Sequence, residues 1–116
     1  MSEEMQWLTV PDFADALGVE ASDVRELIRT GQVIAVRRGP SNTWQIPGEF
    51  IVEDEDGPRL LPTLVGTLTV LSDAGLGDDE AIEWLSSVHE ELGESPLAAL
   101  RSGKRAPVRR AAQTLF

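Results

Sequence analysis

The sequence of 116 residues has no cysteine, no tyrosine and a single histidine, His89. Without cysteine there are no disulfides, no cysteine-based zinc sites and no thiol nucleophiles, which suits a reducing compartment. His89 has no second histidine with which to share a metal, and beside Glu90 and Glu91 it reads as a surface residue on a helix. Long apolar runs are also missing. The longest uncharged stretch, residues 60–72, has 13 residues and is broken by Pro, Gly and Thr, whereas a spanning helix needs about 20 apolar residues. The first residues are acidic and lack the basic and apolar segments of a secretory leader. The expectation is a soluble, cytoplasmic protein with no membrane partner.

Catalytic signatures are absent too. The chain has no glycine-rich phosphate loop and no nucleophile elbow. The run Glu53-Asp54-Glu55-Asp56-Gly57 lacks the alternating ligands and closing glutamate of a calcium loop, so it reads as a solvated turn. Asp78, Asp79 and Glu80 read as helix-start acids. No catalytic residue, cofactor or metal ligand is assigned.

Bases are scarce: ten Lys+Arg face twenty Asp+Glu, for a net charge of −10. Taken alone, that total argues against a nucleic-acid partner, which usually meets a basic footprint. The distribution changes the argument. Residues 1–20 hold five acids and no base, and residues 61–100 hold eight acids and no Lys or Arg. Nine of the ten bases lie in two windows, 25–38 and 101–110. Salt screens charges beyond roughly 10 Å, so a partner responds to local charge. Either window can meet an anion.

A chain of this length forms one domain, or two very small ones sharing a core. Thr9-Val10-Pro11-Asp12 is a helix start, with Thr9 as cap and an acid in the first turn. Val10, Phe13, Ala14 and Leu17 follow the helical period, and Gly18 ends the helix. Val24, Leu27 and Ile28 mark a second helix, closed by Gly31, with Arg25 and Arg29 one turn apart. Val33-Ile34-Ala35-Val36 and Thr43-Trp44-Gln45-Ile46 read as strands around the turn Arg38-Gly39-Pro40-Ser41-Asn42. Trp44 alternates with Ile46 and is expected in the core. Trp7 is expected to pack before the cap of the first helix. Phe50-Ile51-Val52 and Arg59-Leu60-Leu61 suggest a further hairpin around the acidic run.

Helix, glycine-containing turn, helix and a hairpin with arginines at its tip form the layout of a winged helix-turn-helix. The second helix is narrow enough for the major groove, and the hairpin lies along the backbone beside it. The run Trp7-Leu8-Thr9-Val10-Pro11, Leu17-Gly18-Val19, Val24-Arg25, Leu27-Ile28-Arg29-Thr30-Gly31, Ala35-Val36-Arg37-Arg38-Gly39 and Trp44-Gln45-Ile46-Pro47 resembles the excisionase/MerR-type winged-helix family over residues 7–51. The resemblance implies that Arg25 and Arg29 are recognition-helix contacts and that Arg37 and Arg38 are wing contacts to phosphate. Ser22 can bond a phosphate or cap the helix. Glu20, Asp23 and Glu26 stand where family members often carry Ser, Thr and Arg, and they should weaken non-specific attraction to DNA.

The second half reads as helical. Pro62 fits a first helical turn, followed by Leu64, Val65, Leu68 and Leu71 up to Gly75. Asp78 to Leu85 is a helix with acids at the positive end of its dipole. Ser95-Pro96 caps a short helix with Leu97 and Leu100 inside, and Pro107 opens a last one through Val108, Ala111, Ala112 and Leu115. The stretch from Gly77 to Gly103, with Ala81-Ile82-Glu83-Trp84-Leu85, Leu92-Gly93 and Pro96-Leu97-Ala98-Ala99-Leu100, is similar to the toxin-binding module of certain antitoxins. The whole order, with Leu61-Pro62-Thr63-Leu64 and Glu80-Ala81-Ile82-Glu83-Trp84-Leu85, is similar to a small actinobacterial DNA-binding family with a winged helix and a short helical C-terminal domain.

The expected architecture is therefore mainly α with a small β-hairpin, a winged helix-turn-helix followed by a short helical bundle. Residues 1–6 form a flexible tail, 7–61 the DNA-binding domain and 62–116 the helical module. The expected partner is double-stranded DNA, bound by a homodimer that regulates transcription, with Leu64, Leu68, Leu71 and Trp84 as a dimer or partner surface. Arg101, Lys104, Arg105, Arg109 and Arg110 offer a secondary DNA contact, or they neutralise the acidic stretch 78–94. The alternative is an antitoxin-like protein-interaction module in which DNA contact is secondary.

Overall fold

The computed structural model describes residues 5–116. They divide into two compact units, Met5–Pro62 and Thr63–Phe116. Of the flexible tail expected at residues 1–6, residues 1–4 lie outside the described residues. Gln6 is tied down: its N–H donates to the Glu49 carboxylate at 3.0 Å, and its carbonyl accepts from Gly48 N–H at 2.7 Å. A side chain at Gly48 would put Cβ 3.2 Å from both the Gln6 carbonyl oxygen and Leu8 Cδ1, so the crossing chain would have to give by a few tenths of an ångström.

The first unit opens with a strand the sequence did not suggest, β1 (Trp7–Thr9). It leads into helix α1 (Val10–Leu17), where Thr9 Oγ1 accepts from Asp12 N–H at 3.3 Å and Gly18 closes the helix at φ 79°. Helix α2 (Ala21–Arg29) follows. Its start is held by Glu20 and Asp23, with Glu20 N–H donating to Asp23 Oδ2 at 3.1 Å. Ser22 is exposed in the first turn and is not the cap.

The strand expected at residues 33–36 is shifted. Val33, Ile34 and Ala35 are all buried, which an alternating strand with one covered face does not allow. They are an irregular core segment, and pairing begins only with β2 (Val36–Arg38). β2 turns back through residues 39–42 into β3 (Thr43–Pro47). The sheet order is β1-β3-β2, all antiparallel, with Arg37 opposite Trp44 and Leu8 opposite Ile46. A 3-10 turn (Gly48–Phe50) leads to a second hairpin, β4 (Ile51–Asp54) and β5 (Gly57–Leu60). The acidic run is its tip, where Arg59 pairs with Asp54 at 2.7 Å. The core of this unit includes Phe13, Val24, Val33, Ile46 and Phe50, all 2% exposed or less.

The second unit is helical: α3 (Leu64–Asp73), α4 (Asp78–Ser86), α5 (Pro96–Arg101) and α6 (Arg105–Gln113). α3 packs on α6 and α4, and α5 packs on α4 and α6. Pro62 sits in the turn before α3 rather than in its first helical turn. Pro107 is the third residue of α6, where the missing N–H costs nothing because the first-turn donors have no intrahelical acceptor. Ser95 is fully buried, and its Oγ accepts from Ala98 N–H at 3.1 Å to cap α5. Leu64, Leu68 and Leu71, expected on a dimer or partner surface, are buried at 5% exposure or less, so they form the core of the unit. Their neighbour Val65 is the exposed large apolar residue of that helix, at 43%. Among the described residues, no helix is long and apolar enough to cross a membrane.

Candidate nucleic-acid interface

Helix α2 is anchored by a single fully buried residue, Val24, with Leu27 and Ile28 half-covered. The remainder of the helix is free to present side chains. Ser22, Arg25, Glu26 and Arg29 follow the i, i+3, i+4, i+7 spacing and are all exposed, so they form one stripe along the outer face. The structure thus brings together Ser22, Arg25 and Arg29, and it adds Glu26 between them. Arg29 is clamped by that glutamate: Nε donates to Oε2 at 3.0 Å and Nη2 to Oε1 in a bidentate pair. This hydrogen-bonded partnership holds the Glu26 carboxyl below its ordinary value and raises the Arg29 guanidinium above its own. Arg25 carries no ion pair among the described residues.

The wing presents Arg37 and Arg38 on β2. Alternation along a strand sends neighbouring side chains to opposite faces, and each arginine finds a tryptophan on its own side. The Arg37 guanidinium lies 4.6 Å from the centre of the Trp44 ring. Arg38 lies 4.3 Å from the ring of Trp7. Arg37 Nη1 also reaches the Asn42 carbonyl at 3.5 Å. A guanidinium held over a ring is attracted by the ring's electrons, so the ring limits its motion without occupying its N–H donors.

Both tryptophans differ from expectation. Trp44 shares a sheet face with buried Ile46, but it lies two positions, about 6.6 Å, nearer the hairpin tip and is 41% exposed. Strand parity was right, while reach beyond the core decided exposure. Trp7 is half-buried on an edge strand and serves Arg38 rather than a staple. The signal available in the sequence was the direct pairing of Arg37 with Trp44 across a short hairpin, which brings cross-strand side chains within contact.

The other predicted residues lie in the helical unit. Lys104 pairs with Glu94 at 2.6 Å, so this base serves its own fold. Arg105, Arg109 and Arg110 are exposed on α6, and Arg101 is exposed at the end of α5. Trp84 is half-buried and meets His89 edge to face at 5.0 Å. His89 is not on a helix, because α4 ends at Ser86. It is part-buried in a short bridge to Glu94, with Nε2 3.3 Å from the Trp84 carbonyl oxygen. Trp84 and His89 line an open groove of about 590 Å³ together with Asp79, Glu80 and Glu83. Among the described residues, no cluster of side chains is arranged to hold a metal ion.

Comparison with known proteins agrees with this geometry. Residues 1–51 match the family model described as DNA-binding protein Rv2175c, wHTH domain. Residues 61–115 match the model of the Rv2175c C-terminal domain of unknown function. The chain is 37% identical over 76 residues to the DNA-binding protein Rv2175c of Mycobacterium tuberculosis, an alignment that covers 66% of this chain and 49% of that protein. The chain thus aligns with about half the length of that curated relative. The fold is similar to the NMR structure of Rv2175c, with a TM-score of 0.79, 29% identity, and coverage of 100% of this chain and 85% of that one.

Proposed function

The chain belongs to the Rv2175c family, matching the models of both its domains, and on that premise we propose that it binds double-stranded DNA and regulates transcription. The observation that carries this reading is the wing. Two adjacent arginines project from a short hairpin, each held over a tryptophan ring, and neither pairs with a carboxylate among the described residues. In this reading α2 enters the major groove with the Ser22–Arg25–Arg29 stripe along the groove, where the two arginines reach the flanking phosphates as well as the base edges. Arg37 and Arg38 bond phosphates beside the groove, which positions the helix without reading sequence. The protein acts in the cytoplasm, as a homodimer on paired half-sites. The reading assigns it no catalysis and no cofactor.

Three arginines of this unit, Arg25, Arg37 and Arg38, have no acid partner among the described residues. Each neutralised phosphate contributes a slope of about −0.9 to log K against log[salt], so one unit should give a slope near −3. Fluorescence anisotropy on a labelled duplex over a salt series measures it. R37A and R38A should each flatten the slope by about one. Undetectable binding at low salt, or wild-type affinity after all of Arg25, Arg29, Arg37 and Arg38 are replaced, overturns the reading.

A further inference from the structure

Charge is segregated within the helical unit. Residues 63–100 hold eight acids and no Lys or Arg, and residues 101–116 hold five bases and no acid. Lys104 pairs with Glu94 across that divide. Asp79 and Glu83 on α4, and Arg105, Arg109 and Arg110 on α6, are exposed and in no ion pair among the described residues. The two sets stand on matching faces. Asp79, Glu80, Glu83, Trp84 and Ser87 follow the spacing i, i+1, i+4, i+5, i+8 along α4 and its C-cap, and they line the open groove of about 590 Å³. Arg105, Ala106, Arg109, Arg110 and Gln113 follow the same spacing along α6, and all five are exposed. That spacing keeps to one side of a helix for two turns, about 12 Å.

The groove has the chemistry to hold a cation. Leu76 and Trp84 supply apolar lining, and carboxylates stand beside them. Trp7 and Trp44 each hold an arginine of the chain over the ring, at 4.3 and 4.6 Å. Trp84 instead meets His89 edge to face at 5.0 Å and has no guanidinium over it among the described residues. The Glu80 carboxylate accepts from Gly77 N–H at 3.0 Å and so serves the start of α4. Asp79 and Glu83 are the groove's carboxylates left to meet a partner.

We propose that the groove takes the basic face of α6 from a second copy of this chain. Arg105, Arg109 and Arg110 of one copy meet Asp79 and Glu83 of the other, and one guanidinium lies over Trp84. Each copy carries both faces, so a two-fold axis makes the contact twice and closes a dimer. The net charge of −10 on each copy does not forbid this, because salt screens charges beyond roughly 10 Å and the facing surfaces decide. A basic segment of another protein would be a rival occupant. The opposite charge and equal spacing of two faces on one chain favour the second copy. The proposal rests on the homodimer of the proposed function and locates its interface.

The test is sedimentation equilibrium of the full chain without DNA, over a concentration series at low and at high salt. Wild type should dimerise, with a Kd that rises as salt is added. D79R/E83R makes both faces basic, and R105E/R109E/R110E makes both acidic, so each variant alone should be monomeric. An equal mixture of the two should form a heterodimer, because both contacts are again complementary, and misfolded variants could not give that rescue. If either variant loses its far-ultraviolet circular dichroism, E83Q and R109Q take their place. An exposed ion pair is worth about two- to threefold in an equilibrium constant and the two-fold counts it twice, so each should weaken dimerisation by about four- to ninefold. A dimer that keeps its wild-type Kd in the variants, or folded variants that give no heterodimer when mixed, overturns the interface alone. A wild-type monomer at every concentration, or oligomers that keep growing, overturns the closed homodimer with it. Neither result bears on the DNA binding of the first unit, which the anisotropy series reads separately.

Discussion

Replacing Glu26 by Gln should strengthen DNA binding by releasing Arg29. In the structure both side chains are well exposed, 71% for Arg29 and 56% for Glu26, yet the carboxylate takes two guanidinium N–H groups at once. A phosphate approaching the α2 stripe must therefore displace an acid that is already bonded, and it is repelled by that acid while doing so. Gln keeps the length and shape of Glu but gives up the charge. With Arg29 free, the number of phosphates neutralised should rise by one, and the slope of log K against log[salt] should steepen by about 0.9. Between 50 and 200 mM salt that adds a loss of roughly 3.5-fold on top of the wild-type decline. Anisotropy with a labelled duplex should thus show E26Q tighter than wild type at low salt and converging with it as salt rises. The reasoning depends on Arg29, so the decisive comparison is a double-mutant cycle. In an R29A background the steepening from E26Q should vanish. If E26Q improves binding equally with and without Arg29, the gain is only the loss of a repulsive charge, and the release of Arg29 is refuted. The pH dependence follows the same pair. Its hydrogen bond to Arg29 holds the Glu26 pKa below the ordinary value, so the pair persists above that value and is lost only as pH falls through the lowered one. The pair should therefore contribute no change in slope between about pH 6 and 8.

Trp44→Ala should weaken DNA binding about two- to fivefold, the worth of an exposed cation–π contact, and W44F should recover part of that loss. Thermal melting of W44A by circular dichroism should match wild type, because the ring is 41% exposed and supports Arg37 rather than the core; a large drop in melting temperature would refute that role. Ser95→Ala should cost about 1–2 kcal/mol in urea denaturation, since it removes a buried helix cap, and a loss below about 0.5 kcal/mol would show that the cap is not needed.

Helix ends were the most legible part of the sequence, because each is set by chemistry within a few residues. Thr9 caps α1, Ser95 caps α5, and Gly18 and Gly31 take the positive φ that ends α1 and follows α2. The hairpins were legible from their turns. What failed depended on partners distant in the chain. Trp7–Thr9 pairs with residues 45–47 nearly forty positions on, and three residues carry too little pattern to announce a strand. Residues 33–35 have strand composition, but all three are buried and they join neither sheet. The helical period of α3 shows an apolar face, but period alone does not say whether the same chain or another copy covers it, and the chain itself buries Leu64, Leu68 and Leu71. Within the site, Ser22, Arg25, Arg29, Arg37 and Arg38 were all named from sequence. The Glu26 clamp and the tryptophan platforms were not, because both require knowing which side chains share a face.

The charge of the chain now has a structural account. Many of its acids stand where a helix or a base needs them. Asp12, Asp23 and the trio Asp78, Asp79 and Glu80 lie in first helical turns, where the dipole favours them. Glu26, Asp54 and Glu94 each hold a base, respectively Arg29, Arg59 and Lys104. The acids therefore do more than lower the net charge: they withdraw specific bases from solution and leave Arg25, Arg37 and Arg38 as the cations of the first unit without an acid partner among the described residues. A DNA-binding surface built this way gains little from long-range attraction, since the surrounding field is negative and salt screens beyond roughly 10 Å. On the proposed reading its affinity would come from close contacts, formed when α2 and the wing are seated together. On the proposed DNA-binding reading, non-specific binding should be weakened more than specific binding, so the acidic excess would widen the ratio between the two.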